Sequence, residues 1–210
     1  MLEDIKGAIF DLDGVIVDTA KYHYLAWRRL AAELGFEFTL KDNERLKGVS
    51  RMRSLEILLE VGGMNPGEAE KLVMAEKKNG WYVDYIRKMD ESELLKGARA
   101  YILKLKGRGV KIALGSASKN SPMILDNLKI SDLFDAIIDG NRVSKAKPDP
   151  EVFSMGAREL GLAPADCVVF EDAEAGVEAA RRAGMKVVGI GDKKILKDAD
   201  FVIAGLYELL

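Results

Sequence analysis

A single cysteine and a single histidine occur in the 210 residues, and no sign of charge dominates. Cys167 alone cannot build a disulfide framework within the chain, and its place in the run Cys167-Val168-Val169-Phe170 marks a buried core thiol rather than a nucleophile. Thirty-two basic residues nearly cancel thirty-four acidic ones, leaving a formal net charge of −2. That balance argues against broad attraction to nucleic acid or to an anionic membrane, so any basic site must be local. The chain also lacks a long apolar run, an internal repeat and a low-complexity tract. Neither a signal peptide nor a membrane span is expected, and the cytoplasm is the default location.

What is present is enough apolar residue, 48% of the chain, to bury a sizeable core in one domain, or in one domain plus a smaller insertion. Short β-rich runs recur at Val110–Leu114, Ala136–Ile138, Cys167–Phe170 and Lys186–Ile190, separated by segments with helical periodicity, and Gly7–Leu12 belongs with them. Near-continuous apolar strands alternating with helices predict a parallel sheet covered on both faces. From Thr19 to about Met89 the apolar residues recur at spacings of three and four (Tyr24, Trp27, Leu30, Ala31, Leu34, then Leu55, Leu58, Leu59), which predicts an all-helical insertion. Gly35 and Gly62-Gly63 serve as helix stops, and Asn65-Pro66-Gly67 as a turn before a helical stretch from Glu68 to Lys78.

The stretch Ala8-Ile9-Phe10-Asp11-Leu12-Asp13-Gly14 is an apolar strand ending in two carboxylates one residue apart. Strand residues i and i+2 project to one side, and a following glycine permits a sharp bend. Crowded acids need a cation or a shared proton, so the pattern points to a hard metal site, a phosphoryl-accepting carboxylate, or both. A polar strand end is the plain alternative. An EF-hand loop is excluded: it wants glycine sixth and glutamate twelfth, whereas Gly14 is fourth and Ala20 stands where an oxygen ligand should follow.

Ligands of an open parallel sheet bind beyond the carboxyl ends of its strands. Asp11 and Asp13 end one strand, Ser116-Ala117-Ser118-Lys119-Asn120 follow another, and Glu171-Asp172 end a third; Lys147 arrives in the loop Ser144–Pro150. Each has a structural alternative. Ser116 and Ser118 could cap a helix, Lys147 could be a solvated loop lysine, and Asp149 is read as an N-cap with Pro150 at the first helical position. Glu171-Asp172 could be a helix entry, but two acids after a fully apolar strand favour metal binding.

The set Asp11-Leu12-Asp13-Gly14, Ser116, Lys147 and Glu171-Asp172, with a helical insert after the first, resembles the haloacid dehalogenase-like superfamily of phosphatases and phosphomutases over essentially the whole chain. Asp18-Thr19-Ala20-Lys21-Tyr22-His23, Trp27, Leu46-Lys47-Gly48-Val49-Ser50-Arg51 and Ser116–Asn120 are similar to the glucose-phosphate mutase subgroup. The resemblance implies an α/β fold, a Rossmann-like three-layer core with a parallel sheet (1–17 and 90–210) and an inserted all-helical cap (18–89). It implies phosphoryl transfer through an aspartyl-phosphate with Mg²⁺. Asp11 would be nucleophile, Asp13 general acid and base, Ser116 and Lys147 holders of the transferring phosphoryl group. Asp11, the backbone carbonyl of Asp13, Glu171 and Asp172 would surround the metal.

A mutase must also hold the far phosphate of a bisphosphate while the sugar turns. The resemblance assigns substrate contacts to Thr19, His23, Trp27, Lys47, Gly48, Arg51, Lys78, Ala117, Ser118, Lys119 and Asn120. Arg51 would offer a bidentate fork. The plain alternatives are an exposed helix-start arginine for Arg51, surface filler for His23, core for Trp27, and Lys77 taking the place of Lys78. The expected activity is interconversion of β-D-glucose 1-phosphate and glucose 6-phosphate through a 1,6-bisphosphate, by a cytoplasmic monomer acting on a small sugar phosphate. A Mg²⁺-dependent sugar-phosphate phosphatase is the alternative. An idle phosphometabolite-binding protein is disfavoured, because binding alone needs neither a nucleophile nor its acid–base partner.

Overall fold

The computed structural model describes residues 4–46 and 49–210. Strands β1 (Gly7–Phe10), β2 (Lys111–Gly115), β3 (Ala136–Ile138), β4 (Cys167–Glu171), β5 (Lys186–Ile190) and β6 (Phe201–Ile203) form one sheet in the order β3-β2-β1-β4-β5-β6, every pairing parallel. Order reverses between β1 and β4, which places the ligand-binding crevice of such a sheet at the ends of those two strands.

Strand alternation divides the core. Ala8, Phe10, Val168 and Phe170 face one side, where Phe10 stacks on Phe170 with centroids 4.6 Å apart beneath Tyr101 of α5 (Ala98–Gly107). Ile9, Cys167 and Val169 face the other, against Phe153 of α7 (Glu151–Leu160) and Val177 of α8 (Glu174–Arg182). Both faces are covered, so the strand interiors are apolar, with Lys111, Lys186 and Glu171 only at strand ends. The helix α6 (Ser121–Asn127) follows β2.

Helices α1 (Ala20–Glu33), α2 (Leu40–Glu44), α3 (Arg51–Val61) and α4 (Glu68–Ile86) lie between β1 and β2 in the chain. They carry an apolar cluster of their own, with Trp27 and Leu30 from α1, Leu55, Leu58 and Leu59 from α3 and Ala75 from α4. Two chain crossings join this unit to the sheet, where Val17 bridges Leu94 and the Leu95 N–H donates to the Ile16 carbonyl at 2.9 Å. Among the described residues no helix is long and apolar enough to cross a membrane.

Three local expectations change. The first strand stops at Phe10 instead of Leu12, because beyond it Gly14, at φ 79°, turns the chain and the Gly14 N–H donates to the Val17 carbonyl at 2.8 Å. Asp13 is therefore placed by a turn and not by pleat alternation, while the Asp11 N–H still donates to the Phe170 carbonyl of β4. Pro150, not Asp149, is the N-cap of α7; the Asp149 carboxylate instead accepts the Glu151 N–H at 3.0 Å. Strand β6 is a three-residue edge strand, too short to announce itself by periodicity.

Candidate active site

Asp11 follows β1, and its N–H continues the ladder by donating to the Phe170 carbonyl at 2.9 Å. Its carboxylate, 6% exposed, receives the Lys147 ammonium at 2.5 Å. The same ammonium lies 2.8 Å from Oε2 of Glu171, which is 1% exposed. Oε1 of Glu171 accepts the N–H groups of Asp172 at 3.2 Å and Ala173 at 3.1 Å, at the start of α8. Glu171 is thus held on both oxygens. Glycine at 176 is required for this, since a Cβ there would enter the Glu171 carboxylate. Burial works against the charge on Lys147, but the Asp11 and Glu171 carboxylates outweigh it and raise its pKa above the ordinary lysine value. Lys147 is therefore a buried, paired cation and not a solvated loop lysine.

One oxygen each from Asp11, Glu171 and Asp172 lies within 4.8 Å of the others, a set of hard donors that fits a small divalent cation. Asp172 is brought over Gly14, where a Cβ would collide with its carboxylate. Asp13 stands apart from that trio, and its Oδ1 accepts the hydroxyl proton of the fully buried Thr19. Burial first, then the negative charge of Asp11, push the Asp13 carboxyl up to about 8, with Lys147 opposing. That favours the protonated carboxyl.

Ser116, 1% exposed, sits just past β2, and its hydroxyl accepts the Ser118 N–H at 3.1 Å. The Ser118 hydroxyl in turn accepts the Asn120 N–H at 3.2 Å. These short-range turns shape the segment before α6.

Facing these groups from the helical unit are His23, Trp27, Arg51 and Lys78. A cavity of about 420 Å³ is lined by all four together with Asp11, Asp13, Ala117, Ser118, Lys119, Asn120, Lys147 and Asp172. Lys78 is 2% exposed; its ammonium lies 2.8 Å from His23 Nδ1 and 4.4 Å from the Trp27 ring centroid. Burial and the Arg51 charge lower the Lys78 pKa, and burial with the Lys78 charge lowers that of His23, so the imidazole resists protonation. His23 stacks on Tyr82 at 4.0 Å between centroids. Arg51 pairs with Glu76 at 2.7 Å across α3 and α4. Lys47 and Gly48 lie outside the described residues.

Sequence reasoning passed over three residues here. Asn79 accepts a hydrogen bond from the Asn120 amide at 3.1 Å and so joins α4 to the loop before α6. Asn43 lines the cavity, and among the described residues its Oδ1 is buried without a hydrogen-bond partner, as is the Tyr82 hydroxyl. The sequence held one signal for Asn79 and Tyr82: they continue the α4 periodicity, which runs on to Ile86 past the expected end of the stretch at Lys78.

Residues 5–184 match the family described as haloacid dehalogenase-like hydrolase. The chain is 45% identical to the β-phosphoglucomutase of Bacillus subtilis (strain 168) over 95% of this chain and 89% of that protein. It is 32% identical to a phosphorylated carbohydrates phosphatase of Thermotoga maritima, over 94% of this chain and 93% of that one. The crystal structure of a β-phosphoglucomutase from Clostridium difficile superposes with a TM-score of 0.93 at 44% identity, covering 98% of this chain and 93% of the other.

Proposed function

We propose that this chain, which belongs to the haloacid dehalogenase-like hydrolase family, is a phosphomutase that interconverts β-D-glucose 1-phosphate and glucose 6-phosphate. The observation that carries the reading is one cavity lined by cations from both parts of the chain, Lys147 and Lys119 beyond the sheet and Arg51 and Lys78 from the helical unit. Lys147 pairs with Asp11 at the sheet edge, while Arg51 lines the same cavity from α3 of the helical unit and Lys119 lines it from the loop before α6. A simple phosphatase needs only the pair at the sheet edge. The similarity to the Bacillus subtilis protein supports the same choice.

Asp11 is the nucleophile: a carboxylate oxygen attacks phosphorus and an aspartyl-phosphate forms as the leaving oxygen departs. Asp13, protonated in its surroundings, gives its proton to that oxygen and later accepts one from the incoming sugar hydroxyl. Thr19, bonded to Oδ1, orients the carboxyl for both transfers. Lys147 and the Ser116 hydroxyl hold phosphoryl oxygens. Asp11, Asp172, Glu171 and the Asp13 backbone carbonyl would hold Mg²⁺, which supplies positive charge against the repulsion between carboxylate and phosphate. Residues 18–89 act as a cap whose closure keeps water from the aspartyl-phosphate. Arg51 exchanges Glu76 for the distal phosphate, and Ser118, Lys119 and Asn120 provide further donors.

The second reading, a sugar-phosphate phosphatase, is favoured by the 32% identity to the Thermotoga maritima protein. The two separate in one experiment. The protein is incubated with Mg²⁺, β-glucose 1-phosphate and a trace of the bisphosphate, and glucose 6-phosphate and free phosphate are assayed separately. Glucose 6-phosphate is the expected product; predominant release of inorganic phosphate rules out the mutase.

A further inference from the structure

We infer that Glu151 is a positioning residue for Lys147, acting through the loop that carries the lysine; this rests on the function proposed above. Glu151 is the first residue of α7 and does not itself line the cavity. Its Oε2 accepts the backbone N–H of Ser144 at 2.9 Å, the N–H of Lys145 at 2.7 Å and the Ser144 hydroxyl at 3.0 Å. Oε1 lies 3.1 Å from the same hydroxyl. Three donors from the residues leading to Lys147 therefore converge on one carboxylate.

The other end of the loop is pinned as well. The Asp149 N–H donates to the Ala146 carbonyl at 3.0 Å, and the Asp149 carboxylate accepts the Glu151 N–H at 3.0 Å. Lys147 sits between these two fixings. It needs them because its ammonium must meet Asp11 at 2.5 Å and Glu171 at 2.8 Å together, and a loop shift of about 1 Å would break both contacts. A carboxylate is the suitable group, since it accepts several N–H and O–H donors at once and a charge-assisted bond is roughly twice as strong as a neutral one.

A merely local role is the alternative, because an acidic side chain in the first turn of α7 also suits the helix dipole. The test compares Glu151→Ala and Glu151→Gln in the full chain, each with and without Lys147→Ala. Positioning predicts that Glu151→Ala lowers kcat about tenfold with KM held within about twofold. Glu151→Gln, keeping one acceptor, loses about threefold. In the Lys147→Ala background, Glu151→Ala adds less than about twofold, since its route to the chemistry is gone. An equal loss in both backgrounds, or no loss in either, overturns the proposal.

A second measurement does not depend on activity. In ¹⁵N-labelled protein the Lys147 Nζ–H signal, assigned by its absence in Lys147→Ala, should shift or vanish in Glu151→Ala and return toward its place in Glu151→Gln. An unmoved signal overturns the proposal. If the wild-type protein converts no sugar phosphate while the signal moves, the proposed function falls and the positioning of Lys147 by Glu151 stands. Should Glu151→Ala not fold, the Gln variant decides by the same two readouts.

Discussion

The Lys147 ammonium lies 2.5 Å from Oδ1 of Asp11, across 136 residues of chain, and both side chains are at most 9% exposed. One cation is thus shared by the proposed nucleophile and by Glu171. Taking it away leaves two buried carboxylates without their counter-charge, which costs more than the pair itself contributes. Lys147→Ala should lower unfolding free energy by about 3 kcal/mol, read from urea denaturation at neutral pH in the absence of divalent metal. A change below about 1 kcal/mol would mean that the pair is open to water.

Asp11→Asn should abolish phosphoenzyme formation and lower turnover by at least about a thousandfold, because an amide oxygen is a poor nucleophile toward phosphorus. Intact-mass measurement after rapid acid quench follows the added phosphoryl group. A phosphoenzyme in this variant would show that another residue carries it.

Arg51 meets Glu76 at 2.7 Å and is one-quarter exposed, so its fork is available to a ligand by partner exchange. Arg51→Ala should reduce isomerisation of the sugar phosphate about a hundredfold and hydrolysis of a simple phosphate ester less than about threefold. Equal losses on both substrates would make Arg51 structural.

Asp11, Glu171 and Asp172 crowd their oxygens within 4.8 Å, a repulsion that a divalent cation relieves. Mg²⁺ at 100 times its Kd should stabilise the protein by about 2.7 kcal/mol, seen as a rise in Tm, and Asp172→Ala should remove most of that rise. An unchanged response in Asp172→Ala would take the residue out of the metal site.

His23 gives a pH signature. Its pKa is lowered by burial and by Lys78, so the unfolded chain binds a proton below about 6.5 that the folded protein refuses. The unfolded state then holds more protons, and stability falls as pH drops through that value. Between pH 7 and 5.5 the wild-type protein should lose about 1 kcal/mol more than His23→Gln in urea titrations. Parallel pH profiles for the two would place a proton on the folded imidazole.

Much of this architecture was legible in the chain. The apolar runs that became β2, β3, β4 and β5 had to be strands buried on both faces, and that alone implied a parallel sheet with ligand-binding strand ends. Asp11, Asp13, Glu171 and Asp172 stood out because acids directly after such strands have no packing reason to be there. The turn at Gly14 was visible too, though its consequence is different from the one expected: Asp11 still extends the ladder to β4, and the turn, not the pleat, places Asp13.

What the sequence by itself determined was the chemistry available at the sheet edge, since residue type, strand period and glycine position fix which groups emerge there. It could not decide which partner each group finds. Lys77 and Lys78 are adjacent on one helix, and only the packing of α4 on α1 turns Lys78 inward against His23 while Lys77 pairs with Glu33 at 2.5 Å. A difference of one residue on a helix is about 100° of rotation, and its absolute phase is set by the apolar cluster of Trp27, Leu55 and Ala75. Thr19 on Asp13, Glu76 on Arg51 and Glu171 on Lys147 are pairings of the same kind. Tertiary structure made them: the last two span 25 and 24 residues, and even Thr19 and Asp13, six apart, meet only because the chain turns between β1 and α1.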